Sequence, residues 1–128
     1  KREGSDVTIV SFGKIIKEAY KAADELKKEN ISCEIIDLRT VRPMDHEAIF
    51  NSVKKTNRLV ILEEAWPFGN VSTEITYQVQ SQLFDYLDAP IEKINTADTP
   101  APYSPVLLKE WLPNSVDVIN AVKKVLYK

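Results

Sequence analysis

Short β-branched runs alternate with apolar residues at helical spacing along the whole chain, and this alternation limits the available folds more than any other feature. Val7-Thr8-Ile9-Val10-Ser11-Phe12 is a β-rich run, after which Ile15, Ile16, Ala19, Ala22, Ala23 and Leu26 recur with the period of a helix. Glu29-Asn30 breaks that helix, and residues 31–38 predict a second strand. Arg42-Pro43-Met44-Asp45 then turns the chain into a helix from about His46, with Asp45 suited to the N-cap. A third strand is expected over 58–62. A third helix carries Val71, Ile75, Val79, Leu83 and Leu87, starts at Asn70 or Ser72, and stops before Asp88-Ala89-Pro90. Residues 91–96 predict a fourth strand, 97–105 a proline-rich extended loop with some helix after it over 107–111. The last helix follows Asn114-Ser115 and shows Val118, Ile119, Val122, Val125 and Leu126 on one face. Strands that alternate with helices favour parallel neighbours, because parallel strands need long, right-handed crossovers. The expected fold class is α/β, a three-layer α/β/α sandwich around a mostly parallel sheet, with residues 1–128 as a single domain.

Composition agrees with one core. The chain has 128 residues, 44% hydrophobic and 28% charged, enough to bury a single apolar interior. Its 17 basic and 19 acidic residues are spread along the sequence, so no basic stripe points to nucleic acid and no cationic amphipathic segment points to a membrane. No apolar run approaches the ~20 residues that span a bilayer. The start, KREGSD, lacks a signal-peptide core and reads as though cut from something longer, which leads us to expect a cytosolic protein. Cys33, the one cysteine, falls in an apolar strand and is expected to be a buried, inert thiol.

Ligands of open α/β sheets gather beyond the carboxyl ends of the strands. At the first such end, Ser11-Phe12-Gly13-Lys14 has one glycine where a dinucleotide fingerprint has three, so Gly13 is assigned to a tight turn. At the second, Asp37 and Arg39 share a strand face and are expected to pair. The third end is Leu62-Glu63-Glu64-Ala65-Trp66-Pro67-Phe68-Gly69-Asn70. Its two carboxylates point to opposite faces of an extended strand and cannot act as a paired acid and base. Trp66 and Phe68, around Pro67, suit a core cover or an interface. His46, the one histidine, sits at a helix start and is expected to be exposed and structural; no histidine, cysteine or serine arrangement supplies a nucleophile with its base.

The segments VTIVSFG, CEIIDLRTVRPMD, RLVILEEAWPFGN, FDYLDAPIEKINTADTPAPYSP, LP and VINAVKKVL occur in the order and spacing of the C-terminal domain of transketolase-like thiamine enzymes. The IDLRT-x-RP-x-D block is shared broadly, whereas EEAWPFG, DYLDAP and TADTPAPY resemble the β subunits of 2-oxo acid dehydrogenases in particular. Trp66 before Pro67 leans toward the pyruvate-type members; the branched-chain 2-oxo acid enzymes are the alternative. Receiver-like and flavodoxin-like domains share the alternation, but they need acidic or hydroxyl-rich residues after the first strand, where this chain has Ser11-Phe12-Gly13.

The resemblance implies a mixed five-stranded sheet whose antiparallel strand ends near Arg2. It implies an enzyme that uses thiamine diphosphate and magnesium, with the diphosphate and magnesium held by an α subunit and the aminopyrimidine contacted by the N-terminal domain of β rather than by these residues, so that this domain alone is expected to be inactive. It implies three partners: the α subunit, a second β subunit, and the peripheral domain of a dihydrolipoamide acetyltransferase. Trp66, Pro67, Phe68 and Tyr103 are the expected subunit contact. Asp88, Tyr127 and Lys128 are the expected docking position, on the condition that the last helix packs beside the third. The location implied is bacterial cytoplasm or the mitochondrial matrix.

Overall fold

The computed structural model describes residues 2–128. Its strands are β1 (Val7–Ser11), β2 (Cys33–Asp37), β3 (Leu59–Leu62) and β4 (Glu92–Ile94). Its helices are α1 (Ile16–Lys28), α2 (His46–Thr56), α3 (Val71–Leu83), α4 (Pro105–Trp111) and α5 (Ser115–Val125). All four strands are parallel, in the order β2-β1-β3-β4, with Val10 level with Ile36 and with Ile61. The sheet therefore grows in one direction from β1 to β2, then reverses and grows the other way through β3 to β4.

That reversal assigns the helices to their faces. A right-handed crossover places its helix on one face when the sheet grows one way and on the opposite face when it grows the other. Accordingly α1 covers one face with Ala19, Ala22, Ala23 and Leu26 against Val7, Ile9, Ile35 and Leu62. Helices α2 and α3 cover the other with Ile49, Val53, Ile75 and Val79 against Val10, Ile36 and Ile61. The place beside α1 is left open until α5 fills it with Val118, Ala121, Val122 and Val125. Each such buried aliphatic side chain larger than alanine contributes about 1.5–3 kcal/mol.

The result is the expected three-layer sandwich with several local differences. Asp45 caps α2 by accepting from the Ala48 N–H at 3.0 Å, and Asn70 rather than Ser72 caps α3. The third helix stops at Leu83, and a 3-10 turn over Phe84–Tyr86 carries the chain on to Leu87, which still packs against the α2–α3 core. The antiparallel strand implied by the resemblance is, among the described residues, a single bridge between Arg2 and Ile35 on the outer edge of β2. Beside it Gly4 presses on β2 so closely that a Cβ would lie 2.3 Å from the Cys33 carbonyl carbon. The last helix packs beside the first rather than the third, on the opposite face of the sheet, because only that place is vacant.

Candidate functional site

Two loops at the carboxyl edge of the sheet are tied to each other by hydrogen bonds. Directly after β3, Glu63 is fully buried and its carboxylate accepts from the Ser72 N–H at 3.2 Å and from the Asn95 side-chain amide at 2.9 Å. It thereby joins the first turn of α3 to the end of β4. Lys93 donates to the Pro67 carbonyl at 2.9 Å and to the Thr73 hydroxyl at 2.8 Å. The Thr96 N–H donates to the Ala65 carbonyl at 3.0 Å. Farther out, the indoles of Trp66 and Trp111 both donate to the Thr99 carbonyl, each at 2.9 Å.

These bonds present apolar rings to solvent on a fixed base. Phe68 is 89% exposed, Tyr103 is fully exposed, and half of Trp66 is open, with Pro67 exposed between them. Gly69 turns the chain with φ of 63° just before the Asn70 cap. Glu64 points the other way and is exposed, as alternation requires. Glu63 has both oxygens committed to donors, so the pair is a structural acceptor and a surface charge. The burial of Glu63 was not legible in the sequence; its one signal is a carboxylate that follows four buried aliphatic residues and precedes a helix cap.

A second cluster gathers at the opposite, amino edge. The Asp88 N–H donates to the Asn57 carbonyl at 2.9 Å, and the Tyr127 hydroxyl donates to the Asp88 carbonyl at 3.2 Å. Arg58 lies 3.7 Å from the Asp88 carboxylate and donates through Nε to the Val125 carbonyl at 3.0 Å. Asp88 and Tyr127 are thus brought together even though α5 lies on the α1 face, because the chain end curls under the sheet. Lys128 follows, exposed. Arg58, the residue just before β3, ties Asp88 to the end of α5.

The remaining sequence candidates have structural duties. Asp37 and Arg39 pair at 3.4 Å, and Gly13 takes φ of 70° in the turn after β1. Burial raises the Cys33 thiol to about 11, with Arg2 lowering it by less and Asp6 adding to the rise, which suits an inert thiol. His46 is half-buried rather than exposed, because the first turn of α2 folds its ring over Phe50, with ring centroids 6.0 Å apart. Among the described residues no group of three or more His, Cys, Asp or Glu is placed to hold a metal ion, and no helix is long and apolar enough to cross a membrane.

Comparisons with known proteins agree with one another. Residues 1–118 match the family described as "Transketolase, C-terminal domain". The chain is 54% identical over 126 residues to the pyruvate dehydrogenase E1 component subunit beta of Rickettsia felis, covering 98% of this chain and 39% of that protein. It is 48% identical over 124 residues to the mitochondrial subunit of the same name from Dictyostelium discoideum, covering 97% and 35%. The chain thus spans less than half the length of these relatives. Among solved structures, a split gene transketolase described as an inactive beta4 tetramer superposes with a TM-score of 0.84 at 28% identity, covering 98% of this chain and 40% of that one.

Proposed function

This chain belongs to the transketolase C-terminal domain family, and on that premise we propose that it serves as the C-terminal domain of the β subunit of a pyruvate dehydrogenase E1 component. The whole enzyme in this reading decarboxylates pyruvate and acetylates the lipoyl group of a dihydrolipoamide acetyltransferase, with thiamine diphosphate and magnesium supplying the carbanion chemistry when bound. The residues of this chain do not fit a diphosphate–magnesium site: Glu63 is fully buried with each oxygen already accepting a hydrogen bond, from Ser72 and from Asn95, and no glycine-rich phosphate loop follows β1. We therefore assign the cofactor to the α subunit and the N-terminal part of β, and assign this domain, residues 1–128, to assembly.

The observation that carries the assembly role is the exposed row of Trp66, Pro67 and Phe68, with Tyr103 on the adjoining loop. Apolar rings held open to water by a fixed hydrogen-bonded base are the ordinary anatomy of a subunit contact. They suit the α subunit and a second β subunit. Asp88, Tyr127 and Lys128 form the docking position for the acetyltransferase's peripheral domain, where an exposed carboxylate meets basic side chains.

The test uses the α2β2 enzyme that carries this chain. Removing Tyr127 and Lys128, and separately making Asp88→Asn, is expected to weaken binding of the peripheral domain at low salt by about tenfold or more, since a hydrogen bond to a charged group is worth ~1.5–3 kcal/mol. Pyruvate decarboxylation without the acetyltransferase should be unchanged. Unaltered docking in both variants moves the contact elsewhere and leaves Asp88 as a turn residue.

A further inference from the structure

The strand order reverses between β1 and β3, and in open α/β sheets the crevice outside the carboxyl ends at such a reversal is where ligands bind. At that point the structure has a cleft of about 410 Å³ on the α1 face. It is walled by the turn after β1, by Glu64 at the end of β3, and by α4 laid across the top. This volume falls within the usual range of ~300–1,000 Å³ for small-molecule sites.

The lining separates into two chemistries. Its floor is aliphatic: Ile15 and Pro113 are buried, and Leu108 and Leu112 are half-buried. Its rim is cationic, with Lys14, Lys17 and Lys109 all exposed and, among the described residues, without an ion-pair partner. A fourth lysine, Lys21, is neutralised by Glu18 at 2.6 Å, and Glu18 also accepts from the Ser115 N–H at 3.0 Å. Glu18 is therefore committed, and Glu64 is the one carboxylate left to oppose three free ammonium groups. Lysines elsewhere are divided: Lys28, Lys55, Lys123 and Lys124 sit in ion pairs, whereas among the described residues Lys27, Lys54 and Lys128 do not, so what sets this rim apart is that three unpaired ammonium groups line one cleft.

We propose that this cleft binds a small amphiphilic anion, an aliphatic carboxylate whose chain lies on Ile15, Leu108, Leu112 and Pro113 and whose head meets Lys14, Lys17 and Lys109. The absence of any aromatic ring from the lining argues for an aliphatic body over a stacked base. Three flexible ammonium groups without a planar guanidinium suit a charged head recognised as a point charge rather than by a bidentate fork.

The experiment is calorimetric titration of the natural polypeptide that carries this chain, with octanoate as the probe, acetate as a head without a body, and octylammonium as a body with the opposite charge. Saturable octanoate binding is expected, with acetate and octylammonium about tenfold weaker or more. The triple variant Lys14→Gln, Lys17→Gln, Lys109→Gln should keep its melting temperature and lose about tenfold in octanoate affinity, as should the unmodified polypeptide at high salt. Leu108→Ser should weaken octanoate without strengthening acetate. Absence of saturable octanoate binding, equal binding of octylammonium, or an unchanged affinity in the triple variant overturns the proposal.

Discussion

At the scale of single residues, Glu63 holds two donors with one buried carboxylate, so the cost of changing it is set by geometry. In Glu63→Gln the new NH2 opposes the Ser72 N–H in one orientation, and in the other it meets Asn95, which can accept from it only by turning its amide over and giving up its bond to the Trp66 carbonyl. We expect a loss of about 1–3 kcal/mol in stability, together with faster amide exchange over residues 65–72, measured by denaturant unfolding and by hydrogen exchange. A variant as stable and as protected as the parent would show that the loop is held by other bonds. Glu34 gives a pH prediction of defined sign. Desolvation pushes its carboxyl up, but hydrogen bonds from Lys55, Ser52 and the Gly4 N–H outweigh this and hold it below its ordinary 4.5. A carboxyl depressed in the folded state contributes stability that is present above the unfolded value and is lost as pH falls through the folded one. Lys55→Met should therefore lower the melting temperature most near neutrality, and the gap from the parent should close as the pH drops below 4.5.

At the scale of elements, the α2 face of β1 is polar at one place. The Thr8 hydroxyl lies 2.6 Å from that of Ser52 and 2.7 Å from that of Thr56, and all three residues are buried. Thr8→Val keeps the shape but removes one buried partner from each of the two helix hydroxyls, and should cost about 0.5–1.5 kcal/mol for each hydrogen bond lost, by chemical denaturation; Thr8→Ser, which keeps the oxygen, should recover part of it. A neutral Thr8→Val would mean that the Thr56 hydroxyl is satisfied by the Ser52 and Arg58 carbonyls and the Ser52 hydroxyl by the Glu34 carboxylate. The element order was legible because β-branched runs and helical spacing differ in period at every segment from Val7 to Val125. The end of α3 was not, because Leu87 stands four residues beyond Leu83 and continues the apolar stripe that the backbone has already left. Nor was the neighbour of α5 legible. An apolar stripe says that a face is buried, whereas the direction of sheet growth decides against what. The charged pairs Asp37–Arg39 and the Asp45 cap were legible because their partners lie within three residues. Glu63 with Asn95, and Arg58 with Asp88, span about thirty residues each and needed the fold to bring them together.

At the scale of the whole molecule, the exposed rings should govern association. Sedimentation of the chain at rising concentration is expected to show self-association that is reduced in Phe68→Ser with Tyr103→Ser, since both rings are already in water and their loss should change folding stability by little. Equal sedimentation of variant and parent would remove these rings from any contact between copies. The late arrival of α5 has a consequence for how the chain is made. Its four core residues close the same apolar cluster that α1 opens with Ala19, so the inner surface of the molecule stays without its cover while everything between Lys28 and Ser115 is synthesised. At ~5–20 residues per second that interval is on the order of ten seconds. Throughout it the nascent chain carries an unfinished interior, which is closed only when α5 has been made and lies beside α1.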